Sequence, residues 1–263
     1  MKRETKVYIF LIVFIFVFFL IMFLLFGVNN IRQEQYATTI IVGDSSVWKY
    51  EKRKWLNIRT RTTLDELSWN KYHVFENNKE LGEYYLWYNE HRWYAFDEKK
   101  NAIPADTSIF AYQSNYDMKV QEFETTQVDA TDEYVQRVLQ DHNLGLSSTF
   151  TSNYKTKMDI DNDSVAEDFY ILSNAFPMGA DPDRIFSLAF MVKDDEITYL
   201  YEDVFTKTNS YNGCKPYYNV FLDTNNDNKY EIILSCGRYS ATDQVDMLYQ
   251  YDKKQFKIII SNQ

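Results

Sequence analysis

An aspartate-rich loop occurs twice in this chain with one spacing of oxygen-bearing side chains, as DIDNDSVAEDF from Asp159 and as DTNNDNKYEII from Asp223. Oxygen ligands at positions 1, 3, 5 and 9 of a tight loop suit a hard cation such as calcium, which takes six to eight oxygens at about 2.3–2.6 Å. The candidate ligands are Asp159, Asp161, Asp163 and Glu167 in the first copy and Asp223, Asn225, Asp227 and Glu231 in the second. The backbone carbonyls of Val165 and Lys229, with water, would complete the two shells. Asn225 replaces an acid, so the first loop offers four formal charges and the second three, and this count predicts tighter binding at the first. A single acid-rich turn would read as an ordinary solvated loop. Two copies with one spacing argue for a shared purpose.

An EF-hand also begins with acids at positions 1, 3 and 5, but it needs a bidentate Glu at position 12 and Gly at position 6. Here position 12 is Tyr170 or Leu234 and position 6 is Ser164 or Asn228, which excludes it. The residues that follow, Phe169-Tyr170-Ile171-Leu172 and Ile232-Ile233-Leu234, are β-branched and aromatic runs that read as strands. With an acid at position 9 and a strand after it, each loop resembles those of the FG-GAP and VCBS repeats, the calcium-binding blades of integrin-α-type β-propellers. The resemblance covers residues 154–260. Family members usually carry Gly at position 4 or 6, where this chain has Asn162, Ser164, Asn226 and Asn228; of these residue types Asn tolerates the left-handed conformation best. What the resemblance implies is an all-β, calcium-binding, blade-like fold.

The loops open longer segments that match in order: strand, turn-rich stretch, strand, charged tetrapeptide (KDDE or DKKQ), strand. The period from Asp159 to Asp223 is 64 residues, which suits a four-stranded unit. Large residues bracket four polar ones at Tyr50/Trp55, Tyr88/Trp93, Val192/Ile197 and Tyr251/Phe256, each reading as a β-hairpin tip. One helix stands out at Asp132 to His142, with Thr131 as N-cap and Gly145 as stop. The expected fold class is therefore all-β and mostly antiparallel, with propeller-like blades as one arrangement, one short helix and an N-terminal transmembrane helix.

That membrane expectation rests on Val7 to Val28, 22 apolar positions without a charge, enough to span about 30 Å of hydrocarbon. Lys2, Arg3 and Lys6 precede the run, so the positive-inside rule predicts a single-pass protein with a cytoplasmic N-terminus and the bulk of the chain extracytoplasmic. The expected organisation is a tail at 1–6, the membrane helix at 7–28, a stalk at 29–37, an N-terminal β module at 38–130, a connecting helix at 131–145 and the two calcium-loop repeats at 146–263. The net charge of −10 excludes nucleic acid as a partner and fits a cation. Cys214 and Cys236, the only two cysteines, flank the strands entering and leaving the second loop and are predicted to form a disulfide.

Catalytic patterns are absent. His73, His91 and His142 are scattered, and no nucleophile elbow, phosphate-cradling glycine loop or zinc spacing occurs. The functional expectation is a membrane-anchored calcium-binding interaction or accessory module with a protein or glycan partner at the cell surface. A calcium-stabilised hydrolase of polysaccharide or cell wall is the alternative; it requires acids outside the loops, such as Asp181, Asp183 and Asp243, to converge. The glycan version requires at least two of the rings of Trp48, Trp55, Trp69, Trp87 and Trp93 to be exposed and coplanar.

Overall fold

The computed structural model describes residues 39–262 apart from 45, 52–53, 77–78, 103–108, 116, 146–149, 176–183, 207–213 and 239–243. In chain order its elements are β1 (Thr39–Val42), β2 (Ser46–Glu51), β3 (Lys54–Asn57), α1 (Arg61–Leu67), β4 (Asn70–Glu76), β5 (Lys79–Asn89), β6 (Arg92–Phe96) and β7 (Ile109–Gln113). There follow β8 (Val120–Gln121), β9 (Thr126–Gln127), α2 (Glu133–Asp141), β10 (Ser152–Met158), β11 (Glu167–Ser173), β12 (Arg184–Lys193) and β13 (Glu196–Thr206). The second repeat contributes β14 (Cys214–Leu222), β15 (Glu231–Arg238), β16 (Val245–Asp252) and β17 (Gln255–Ser261).

These strands form three open sheets, ordered β3-β2-β1-β7-β4-β5-β6, β13-β12-β11-β10-β9 and β17-β16-β15-β14-β8. Each repeat is a four-stranded antiparallel meander, widened by a two-residue strand from upstream: β9 pairs with β10 and β8 with β14. The second-repeat sheet is the middle layer. One of its faces, with Tyr218, Phe221, Ile232 and Leu234, packs on Phe169, Ile171, Ala189 and Met191 of the first repeat. Its other face, with Val220, Leu222, Ile233 and Leu248, packs on Ile40, Trp48, Phe110 and Tyr112 of the seven-stranded sheet. The outer faces are closed by helices. Leu64 and Leu67 of α1 lie against Tyr72, Leu86 and Ala95, and Val135, Val138 and Leu139 of α2 against Tyr170, Leu172 and Phe190.

Side chains alternate between faces along a strand, so a strand covered on both sides reads as a continuous apolar run. That is why Ile232-Ile233-Leu234 and Phe169-Tyr170-Ile171-Leu172 carry no polar interruption: successive residues enter different cores. The four bracketing pairs of the hairpins stand opposite each other in the ladders, Tyr50 with Trp55, Tyr88 with Trp93, Val192 with Ile197 and Tyr251 with Phe256. Three of these hairpins turn on two residues with positive φ, Glu90-His91, Asp194-Asp195 and Lys253-Lys254, the type I′ geometry that matches strand twist.

Three expectations are corrected. The described residues hold two helices, not one, because α1 buries Leu64 and Leu67 over the seven-stranded sheet. The sheets do not close into a propeller; in a ring every blade must meet a neighbour on both faces, whereas here α1 and α2 occupy the two outer faces. Nor do the described residues supply the helix for a single-pass membrane topology. Their helices have 7 and 9 residues, roughly 10 and 14 Å against the 30 Å of a bilayer core, and none is long and apolar enough to cross. Residues 1–38, including the run at 7–28, lie outside the described residues, as do Asp181, Asp183 and Asp243. The cap of α2 is Asp132 rather than Thr131: its carboxylate accepts from the backbone N–H of Tyr134 at 3.0 Å and Val135 at 3.3 Å.

Cys214 on β14 and Cys236 on β15 are joined by a disulfide, with Cα atoms 5.6 Å apart and a sequence separation of 22, in the core between the two repeats. Closing a loop of that length restricts the unfolded chain by roughly 3 kcal/mol. Replacing both cysteines by Ala is expected to lower the unfolding free energy in urea by about that amount or somewhat more; an unchanged denaturation midpoint would show that the bond contributes no stability.

Candidate metal centre

The two Asp-rich loops join the first strand to the second in each repeat and are built alike. Asp159 at position 1 accepts from the backbone N–H groups of Asp163 (3.1 Å) and Ser164 (2.8 Å), and Asp223 accepts from those of Asp227 (3.1 Å) and Asn228 (2.9 Å). Position 5 accepts from the N–H of position 7 in both, Asp163 from Val165 and Asp227 from Lys229, each bond near 2.8–2.9 Å. The Glu at position 9 reaches back to the N–H of position 2: Glu167 to Ile160 at 3.0 Å and Glu231 to Thr224 at 2.9 Å. Positions 4 and 6 have left-handed backbones in both copies, with φ of 60° and 72° at Asn162 and Ser164 and 57° and 64° at Asn226 and Asn228. This folding turns the carboxylates inward.

In the first loop Asp159, Asp161 and Glu167 each present a ligand oxygen within 4.8 Å of the others, a half-buried to buried cluster capable of holding a metal ion. All donors are oxygens, as a hard cation requires. Asp163 lies at the same centre, which also receives the ammonium of Lys193 from the end of β12: Nζ donates to Asp161 (2.8 and 3.0 Å), Asp163 (2.7 Å) and Glu167 (2.7 Å). Burial pulls the Lys193 ammonium down, but its hydrogen bonds to the three carboxylates outweigh that and hold it well above the ordinary lysine range. The same bond depresses the Asp163 carboxyl. The Val165 side chain points to solvent.

The second loop is more deeply set. Asp223 is wholly buried and Glu231 1% exposed, while Asn225 accepts from the N–H of Asp227 at 2.9 Å. The side chain across from Glu231 is Gln250, whose amide approaches it at 3.4 Å. The loops touch through the backbone, the N–H of Tyr230 donating to the carbonyl of Ile160 at 2.9 Å. A cleft of ≈ 290 Å³ opens beside them, lined by Asp161, Lys193, Lys229 and the hairpin tips at Asp194 and Lys253-Lys254. The histidines do not converge: His73 stacks on Tyr112, His91 sits in a turn and His142 ends α2 beside Glu202.

Neither Lys193, which opens the polar tip KDDE, nor Gln250, which lies within the strand ahead of DKKQ, is marked as a neighbour of the loops by the sequence pattern. Their role depends on strand register: Asp168 pairs with Val192 and Ile232 with Tyr249, which sets Lys193 opposite Glu167 and Gln250 opposite Glu231. The five tryptophans lie in different surroundings. Trp48 and Trp93 are buried and Trp55 half-buried in the hairpin with Tyr50. Trp69, 48% exposed, stacks on Trp87 at 5.9 Å and 22°, and the group extends to Phe96 and Tyr94. Leu86 faces α1, so alternation turns Trp87 to the opposite face. Trp69 holds φ at 62°, a strained backbone for a bulky side chain. Compared with known proteins, the chain matches no family model, no curated protein and no solved structure.

Burial, reinforced by the nearby Asp227 and Asp223, pushes the Glu231 carboxyl up to about 7 from 4.5, against the hydrogen bonds from Thr224 that favour the anion. The folded state therefore keeps a proton that the unfolded chain releases, and the stability this proton contributes is lost as pH rises from about 4.5 to about 7. In metal-free buffer the wild-type protein is expected to lose up to about 3 kcal/mol across that window relative to Glu231→Gln. Urea unfolding of the two proteins at several pH values checks this; parallel pH profiles would contradict it.

Proposed function

We propose that this chain is a calcium-binding β protein that works as an interaction module, with calcium as a structural cofactor. The observation that carries the reading is the twin construction of the loops: one hydrogen-bond scheme, left-handed positions 4 and 6, and a buried Glu at position 9 in both copies. Those left-handed positions are where the FG-GAP and VCBS repeats carry glycine, which supports the likeness at the level of backbone shape. All-oxygen donors, four side chains and a backbone carbonyl that water can complete, favour calcium over magnesium, which demands a small octahedral shell, and over metals that prefer nitrogen or sulfur. An ion held by the native loop and not by the unfolded chain stabilises the fold by mass action.

Thermal unfolding in excess calcium, in chelator and in excess magnesium tests the reading. At an ion concentration about 100 times the dissociation constant, one site contributes roughly 2.7 kcal/mol, a rise of roughly 5–10 °C for a chain of this size. The rise is expected with calcium, much less with magnesium, and to be largely lost in Asp227→Ala. Identical midpoints in calcium and chelator would make the loops plain acidic turns.

For the partner, the aromatic face supports a glycan. Of the five tryptophans only Trp69 is exposed, held on a strained backbone and stacked on half-buried Trp87, so this face offers a sugar ring one indole rather than a platform of two exposed rings. Addition of soluble β-1,4-linked glucose or N-acetylglucosamine oligomers is expected to shift the tryptophan fluorescence of the wild-type protein. Trp69→Ala should weaken that response roughly 2- to 10-fold, the worth of one aromatic stack. No response to any oligomer would remove the glycan reading and leave a protein partner.

A further inference from the structure

We infer that Lys193 is a built-in cation for the first loop, so that the two loops are filled differently, the first by the protein's own ammonium and the second by a divalent ion. The first half of this inference stands on the geometry alone; the second rests on the calcium reading above. Lys193 Nζ contacts four oxygens from the carboxylates at positions 3, 5 and 9 at 2.7–3.0 Å, the same side chains that would coordinate an ion. These distances are a few tenths of an ångström longer than the 2.3–2.6 Å of calcium coordination, as expected when N–H groups replace direct ligation. A metal ion and this ammonium therefore cannot share the centre.

The repeat supplies its own control. At the matching place opposite the position-9 Glu, the second copy has Gln250, which carries no charge and whose amide lies 3.4 Å from Glu231. With Lys193 included, the first loop loses its charge advantage: four acids less one lysine leave the same net charge as the three acids of the second. The advantage read from acids alone is thereby cancelled. An ion entering the first loop must break charge-assisted hydrogen bonds, which weakens binding there on the order of 10- to 100-fold.

The test is a calcium titration by calorimetry of the metal-free full chain, alongside its melting temperature in chelator, for wild type, Lys193→Gln and Gln250→Lys. Wild type is expected to bind one ion tightly and Lys193→Gln two. Gln250→Lys is expected to bind none tightly and, by supplying an ammonium to the second loop, to melt higher than wild type in chelator. Lys193→Gln should melt several degrees lower than wild type in chelator and recover in calcium. Two tight sites in wild type, or an unchanged ion count in Lys193→Gln, would overturn the division between the loops. If no protein binds calcium, the calcium reading fails and the metal-free melting temperatures decide alone: a fall in Lys193→Gln or a rise in Gln250→Lys upholds the internal cation, and neither overturns it.

Discussion

Burial of the second-repeat sheet on both faces is the constraint from which the rest of this fold follows. Neither Ile232 and Leu234 on one side nor Ile233 and Leu248 on the other can meet water, so a sheet must cover each. The first repeat and the seven-stranded sheet do so, and their own outer faces then require α1 and α2. A polar cluster interrupts this apolar stack. Asp246, fully buried on the face toward the seven-stranded sheet, accepts from Ser46 and Ser235 at 2.5 Å and from Gln244 at 2.6 Å. A buried carboxylate must find its donors or lose several kcal/mol, so this cluster favours one alignment of the two layers over slipped ones.

Much of the local structure was legible because it is written in short-range patterns. The hairpins follow from large residues that bracket polar tips, and α2 from the spacing of Val135, Val138 and Leu139. Sheet membership was not legible. β7 inserts between β1 and β4, strands far away in the chain, and nothing in IFAYQ specifies that partner. The strands β8 and β9 are two residues each, too short to show a period, and their positions depend on the edges they join. The helix α1 begins without a side-chain cap and owes its place to the sheet below it.

The candidate site divides in the same way. Its acids are local in sequence and were found by spacing alone. Lys193 lies 26 residues beyond Glu167 and meets it only through the pairing of β11 with β12. Counting acids within a loop thus gives candidate oxygens but not the charge at the centre, because cross-strand neighbours contribute to the field as well. The stacked indoles show the same dependence: Trp69 and Trp87 are distant in sequence and meet because β4 and β5 pair.

The bond from Tyr230 to Ile160 gives the pair of loops a shared skeleton. Ile160 is the residue whose N–H Glu167 holds, and Tyr230 immediately precedes Glu231, so an unbroken backbone path runs from one acidic centre to the other. Ordering a flexible segment costs on the order of 1–2 kcal/mol per residue in lost freedom. A loop kept in shape from within is in effect a splint for its neighbour, whose own ordering then starts with part of that entropy already spent.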